Sequence, residues 1–232
     1  MKSPFKIISW IVAIAAAAFL VFFLVRKPAP SPAYDDTTTV VPTPTPSADQ
    51  SISDGEVKVS YSSQEFGLAV NDTQVLTHSY IPPCDSSFDY CLYYVGTRYV
   101  GTNFESAGLR ISKRPDLAST EACIYTTPNG SEKPSPVVAT SSEYVAATYS
   151  PIGDAGAGHY ANGAIYRVWY DGACRELETR IGETQFANYP AGSIGLFTDT
   201  DRSDLQSSLN RMINSVTLKD ATSVKFPAGG AI

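Results

Sequence analysis

The run IISWIVAIAAAAFLVFFLV, residues 7–25, constrains this chain more than any other feature. It holds 19 residues without a charge. As a helix rising about 1.5 Å per residue it reaches roughly 28 Å, close to the thickness of a bilayer's hydrocarbon core. The run predicts one membrane-spanning helix. Lys2 and Lys6 precede it and Arg26 and Lys27 follow it, so flanking charge orients it only weakly. The α-amino group favours a cytoplasmic tail of residues 1–6. The alternative is a cleaved signal peptide, with Ser31 and Ala33 as the small residues before a cut. The apolar run, however, exceeds the roughly 7–15 residues of a signal's apolar region. The remainder of the chain is then extracytoplasmic.

Residues 26–55 read as a linker. Pro, Thr, Ser and Asp dominate it, and it shows no apolar periodicity with which to bury a core. Its prolines favour extended polyproline II geometry. Residues 56–218 are long enough for a single core, and 219–232 read as a flexible tail. The net charge is −6, and beyond Lys27 there are 13 cations against 23 anions. So acidic a domain lacks the clustered cations that nucleic acid or an anionic lipid surface requires.

The location decides how the cysteines are read. Cys84, Cys91, Cys123 and Cys174 all follow the anchor, with six, 31 and 50 residues between successive members. An even number in an oxidising compartment reads as disulfides. Zinc would want close pairs such as C-x2-C with histidines nearby, and no metal or cofactor site is expected. The favoured pairing is Cys84–Cys91 with Cys123–Cys174. The first would staple the loop of IPPCDSSFDYCLYY.

The secondary-structure signals are mostly short strands. EVKVS, FGLAV, QVLTHSYI, LYYVGTRYV, AGLRIS and EYVAATYS are extended candidates, and Asp116 is a candidate cap for a short helix through Cys123. AIYRVWY-DG-ACRELETRI is the best-defined unit. Asp171-Gly172 between two alternating runs predicts a type I′ hairpin, with Tyr170 opposite Ala173, Trp169 opposite Cys174 and Arg167 opposite Glu176. Tyr166, Val168, Tyr170, Leu177, Thr179 and Ile181 form the expected core face. Leu205, Leu209, Met212 and Ile213 recur at helical spacing, with Asp201 or Ser203 as the cap, and SVTL follows as a strand. The pattern predicts an α+β domain built on an antiparallel sheet with a few flanking helices.

Two segments carry a family resemblance. Tyr61-Ser62-Ser63-Gln64-Glu65-Phe66-Gly67-Leu68 resembles the opening of PsbP-like domains. Leu205, Leu209, Met212-Ile213 and Ser215-Val216-Thr217-Leu218 are similar to their closing helix and strand. The resemblance implies an antiparallel sheet flanked by helices. It transfers no functional residue, and the cysteines and the 81–94 loop depart from it.

Few groups are candidates for chemistry. Glu176 and Glu178 share a strand face about 6.5–7 Å apart, a spacing that suits the paired carboxylates of a glycosidase. The competing reading is a solvated charge ladder with Arg167 and Arg180. His159, ending the glycine-rich GDAGAGH, is the other nominee; His78 reads as a sheet residue. Ser193 in Ala-Gly-Ser-Ile-Gly imitates a nucleophile elbow, but no histidine follows it. Tyr90, Tyr93 and Tyr94 beside the stapled loop are candidates for a binding surface, since exposed tyrosines anchor interfaces and stack on sugar rings. The sequence therefore favours a membrane-anchored, non-catalytic binding or structural module facing an envelope protein or wall glycan. The alternative is an envelope hydrolase using Glu176 and Glu178.

Overall fold

The structure, a computed structural model, describes residues 49–69, 88–131 and 135–229. The helix expected at 7–25, most of the linker and the strand expected at 74–81 lie outside the described residues. Among those residues no helix is long and apolar enough to cross a membrane.

Among the described residues, ten strands form two antiparallel sheets. β1 (Asp49–Ser53), β2 (Val57–Ser62) and β10 (Thr217–Leu218) make the smaller, in the order β1-β2-β10. The larger holds β3 (Phe66–Leu68), β4 (Tyr90–Tyr94), β5 (Phe104–Lys113), β6 (Val137–Thr140), β7 (Val145–Gly156), β8 (His159–Tyr170) and β9 (Ala173–Thr184). Its order is β3-β4-β5-β9-β8-β7-β6. Two helices accompany them, α1 (Thr120–Tyr125) and α2 (Asp199–Asn214). The α+β class is as the sequence implied.

The β8–β9 hairpin has the expected register: Tyr170 pairs with Ala173, Trp169 with Cys174 and Arg167 with Glu176. Asp171 and Gly172 take φ values of 47° and 74°, the left-handed geometry of a type I′ turn. The β7–β8 hairpin turns just as tightly at Ala157-Gly158 (φ 51° and 81°). GDAGAGH is therefore two strand ends and a turn.

One face of the large sheet meets α2 and the small sheet. Leu109, Ile111, Tyr166, Val168, Leu177 and Ile181 pack with Val57, Val59, Leu205, Leu209, Met212 and Ile213. α2 starts earlier than expected. Thr198 is its cap and accepts from the Asp201 amide, while the Asp201 carboxylate accepts back from the Thr198 amide. Asp201 thus completes a capping box three residues inside the helix. The opposite face is covered as well. There α1 packs Cys123 and Ile124 against Ala147, Cys174 and Trp169. Ser119 caps α1, whereas Asp116, the expected cap, pairs with Arg114.

Both ends of the domain require correction. Residues 49–55, expected as linker, belong to the fold. β1 pairs along β2, Ile52 is buried, and Asp54 accepts from the amides of Glu56 and Val57 and pairs with Arg175 at 2.7 Å. Residues 219–229, expected as a loose tail, return across the α2 side. Val224 is buried and the Phe226 ring meets Tyr166 edge-on at 5.3 Å. EVKVS and FGLAV form strands as expected, β2 in the small sheet and β3 in the large one.

Candidate functional site

Glu176 and Glu178 point to the α1 side of the sheet, where four arginines converge. Arg167 Nε donates to Glu176 Oε2 at 2.6 Å, and Arg114 donates to the same oxygen at 2.7 Å. Arg110 and Arg180 bind the two oxygens of Glu178 at 2.5 and 2.6 Å. Arg167 also donates to the carbonyls of Cys123 and Thr126 at the end of α1, and Arg110 lies over the Phe88 ring at 4.4 Å. The expected Arg167–Glu176 pairing is present, but the solvated ladder is not. Glu176 and Glu178 are only 9% and 8% exposed, because α1 and the strand face close over them.

This arrangement suits structure better than hydrolysis. A general acid or nucleophile must reach a substrate, and these carboxylates are buried with guanidinium donors on them. His159 stands apart from them. It opens β8 opposite Thr184, eight residues along the strand from Arg167, the partner of Glu176. At about 3.3 Å per residue that is roughly 26 Å. Its Nδ1 lies 2.6 Å from Glu105 Oε1, at the bulge of β5. The three nominated groups therefore do not form one site. Ser193 donates to the Pro190 carbonyl in an exposed turn.

The tyrosines also take structural places. Tyr90 and Tyr94 pack onto the main core, and Tyr94 joins a cluster with Phe66, Tyr99 and Phe104 at centroid distances of 5.3–5.8 Å. Tyr93, half-buried on the other face, lies over Gly67. Residues 81–87 of the expected recognition loop lie outside the described residues. Cys123 and Cys174 are bonded as expected, across 51 positions. Cys91 is also disulfide-bonded; its expected partner, Cys84, lies outside the described residues. Disulfides persist in oxidising compartments, so the domain is extracytoplasmic. No group of three metal-ligating side chains occurs among the described residues.

A groove on the α2 side, of 610 Å³, is a concave site that sequence reasoning missed. α2 supplies one wall through Asp199, Arg202, Ser203, Gln206, Ser207 and Asn210. Their spacing of three and four places them on one helix face, beside the apolar stripe that enters the core. Tyr166 and Ser150 contribute from the sheet, and Phe226 to Gly229 form the far wall. Gly229 is pressed onto the sheet so closely that a Cβ there would stand 2.5 Å from Ser150 Cβ. Arg202 donates to both oxygens of Glu183, at 2.8 and 2.6 Å, and to Asp199 at 2.5 Å. The groove went unseen because its far wall is the segment expected as a tail. Phe226-Pro227, apolar and stiff, was the available signal.

No family model matches the chain, and no curated protein matches it. The PsbP-like resemblance therefore rests on its two segments alone. Among solved structures, LpqN, described as involved in cell envelope biogenesis of Mycobacterium tuberculosis, is similar at 14% identity and a TM-score of 0.38. The match covers 73% of this chain and 90% of that one.

Proposed function

We propose that this is a membrane-anchored, non-catalytic binding module that holds a ligand of the cell envelope in the groove beside α2. The groove is the observation that carries the reading. Its volume of 610 Å³ lies within the range of about 300–1,000 Å³ usual for ligand sites, and aromatic rings and neutral polar groups line it together. The disulfides support an exterior location, and the apolar run at 7–25 with its Pro-rich spacer supports display from the membrane. The partner is a wall glycan or another envelope protein. The hydrolase alternative draws no support from Glu176 and Glu178, which are buried under arginines.

The test is crosslinking in intact cells. A photo-reactive residue replacing Asn210, in the groove, should give an adduct with an envelope component. The same residue replacing Tyr125, exposed at the end of α1, should not. Adducts at 125 with none at 210 would overturn the assignment of the groove.

A further inference from the structure

Resting on that reading, we infer that the groove takes a neutral, hydroxyl-rich ligand, a short run of sugar rings. Charge is the first argument. Asp199 and Arg202 are the only ionisable side chains of α2 in the lining, and Arg202 is held by Glu183 and Asp199 together. An anionic ligand such as a phosphate or a sulfated chain would need an uncommitted cation, and the lining presents none.

Polarity is the second. The α2 wall carries Ser203, Gln206, Ser207 and Asn210, which are neutral groups able both to donate and to accept. Gln206 Nε2 donates to Asn210 Oδ1 at 3.0 Å, which fixes both amides and leaves the Asn210 amide group as a donor. Gln206 Oε1 and Thr148 Oγ1 are buried oxygens without a hydrogen-bond partner. Gln206 lines the groove, and Thr148 stands opposite Tyr166 and against Gly229. A buried acceptor left unmet costs free energy, so a hydroxyl donor arriving from a ligand gains more here than at a solvated surface. An acyl chain would leave the Gln206 oxygen, which belongs to the lining, unmet.

The third argument is the aromatic pair. Phe226 and Tyr166 meet edge-on, 67° between planes, and both line the groove. The C–H face of a pyranose ring is apolar and carries slight positive charge. It therefore complements an aromatic π-face, while its hydroxyls reach sideways to the amides.

The test uses the full-length protein in lipid nanodiscs, avoiding detergents with sugar headgroups. Chitohexaose, cellohexaose and maltohexaose are titrated calorimetrically, with a sulfated heparin hexasaccharide as the anionic probe. At least one neutral hexasaccharide should bind with Kd of about 0.1–1 mM. The Gln206→Ala/Asn210→Ala pair should weaken it at least ~10-fold, and Phe226→Ala comparably. The amide pair lies on a half-exposed helix face, so that variant keeps its fold even if Phe226→Ala does not. No heat from any neutral hexasaccharide at about 10 mM, or tighter binding of the sulfated one, would overturn the inference. Adducts at position 210 with silent saccharides would remove the sugar assignment and leave the groove reading standing. Silence in both experiments would remove both.

Discussion

Arg167 is the largest side chain that the fold buries completely, at 1% exposure. It is fixed by Glu176, by two α1 carbonyls and by the Tyr149 ring, 5.4 Å from its guanidinium carbon. Removing Arg167 leaves Glu176 with Arg114 and takes a donor from the Cys123 and Thr126 carbonyls, at a cost of about 1–3 kcal/mol. Arg167→Met should lower stability by that amount, read from the urea midpoint at unchanged slope. Exposed pairs such as Arg211–Glu65 should cost less than about 1 kcal/mol when broken. A small loss at Arg167 would mean that water reaches the network. The pairing was legible in the sequence because a two-residue turn sets register residue by residue. The burial was not. An alternating strand shows which residues share a face, but not whether a helix some 50 positions away covers it. Tyr90 and Tyr94 show the same limit: composition marked them as aromatic, and only packing shows their rings turned inward.

Among the elements, the β1–β2 ribbon was the least legible, since DQSIS carries no strong strand signal and adjoins a Pro- and Thr-rich stretch. Pairing to β2 overrides that weak local preference, and Asp54 fastens the ribbon to β9. Burial pushes the Asp54 carboxyl up, but the amides of Val57 and Glu56 and the Arg175 guanidinium outweigh it and hold the group below its ordinary value of 3.8. A depressed carboxylate stabilises the fold above its unfolded pKa, and that contribution is lost as pH falls through the folded one. Asp54→Asn should therefore be less stable than the parent at pH 7, by on the order of 1–3 kcal/mol. The gap should close as pH falls below about 4. Denaturant titrations of both proteins across pH 2–7 measure this; a gap constant with pH would mean that neither the amides nor Arg175 favour the ionised carboxyl. α2 was legible by contrast. Its apolar stripe, Leu205 to Ile213, repeats over more than two turns, and only its start differs, because Thr198 takes the cap position and Asp201 the reciprocal one.

At the scale of the whole domain, the sheet is a layer closed on both sides by dissimilar means. The α2 side closes with a 16-residue helix and a broad apolar core. The α1 side closes with a six-residue helix, too short to hold its shape in water unaided. Among the described residues three long-range ties keep α1 in place: the Cys123–Cys174 bond, the Arg167 contacts to its last carbonyls, and the Tyr149 hydroxyl, which donates to the Ile124 and Thr126 carbonyls. The disulfide closes a loop of about 52 residues, for which chain entropy gives about 4 kcal/mol. Cys123→Ala with Cys174→Ala should cost roughly that much overall, read from denaturant unfolding. The loss should also show locally. Hydrogen exchange at the amides of Cys123 and Thr126, which bond back to Ser119 and Ala122, should accelerate well before exchange in the β8–β9 ladder. Because the groove lies on the other face, saccharide binding should persist in this variant under native conditions. If the α1 amides stay protected without the bond, Arg167 and Tyr149 suffice to hold the helix, and the disulfide acts only on the unfolded chain.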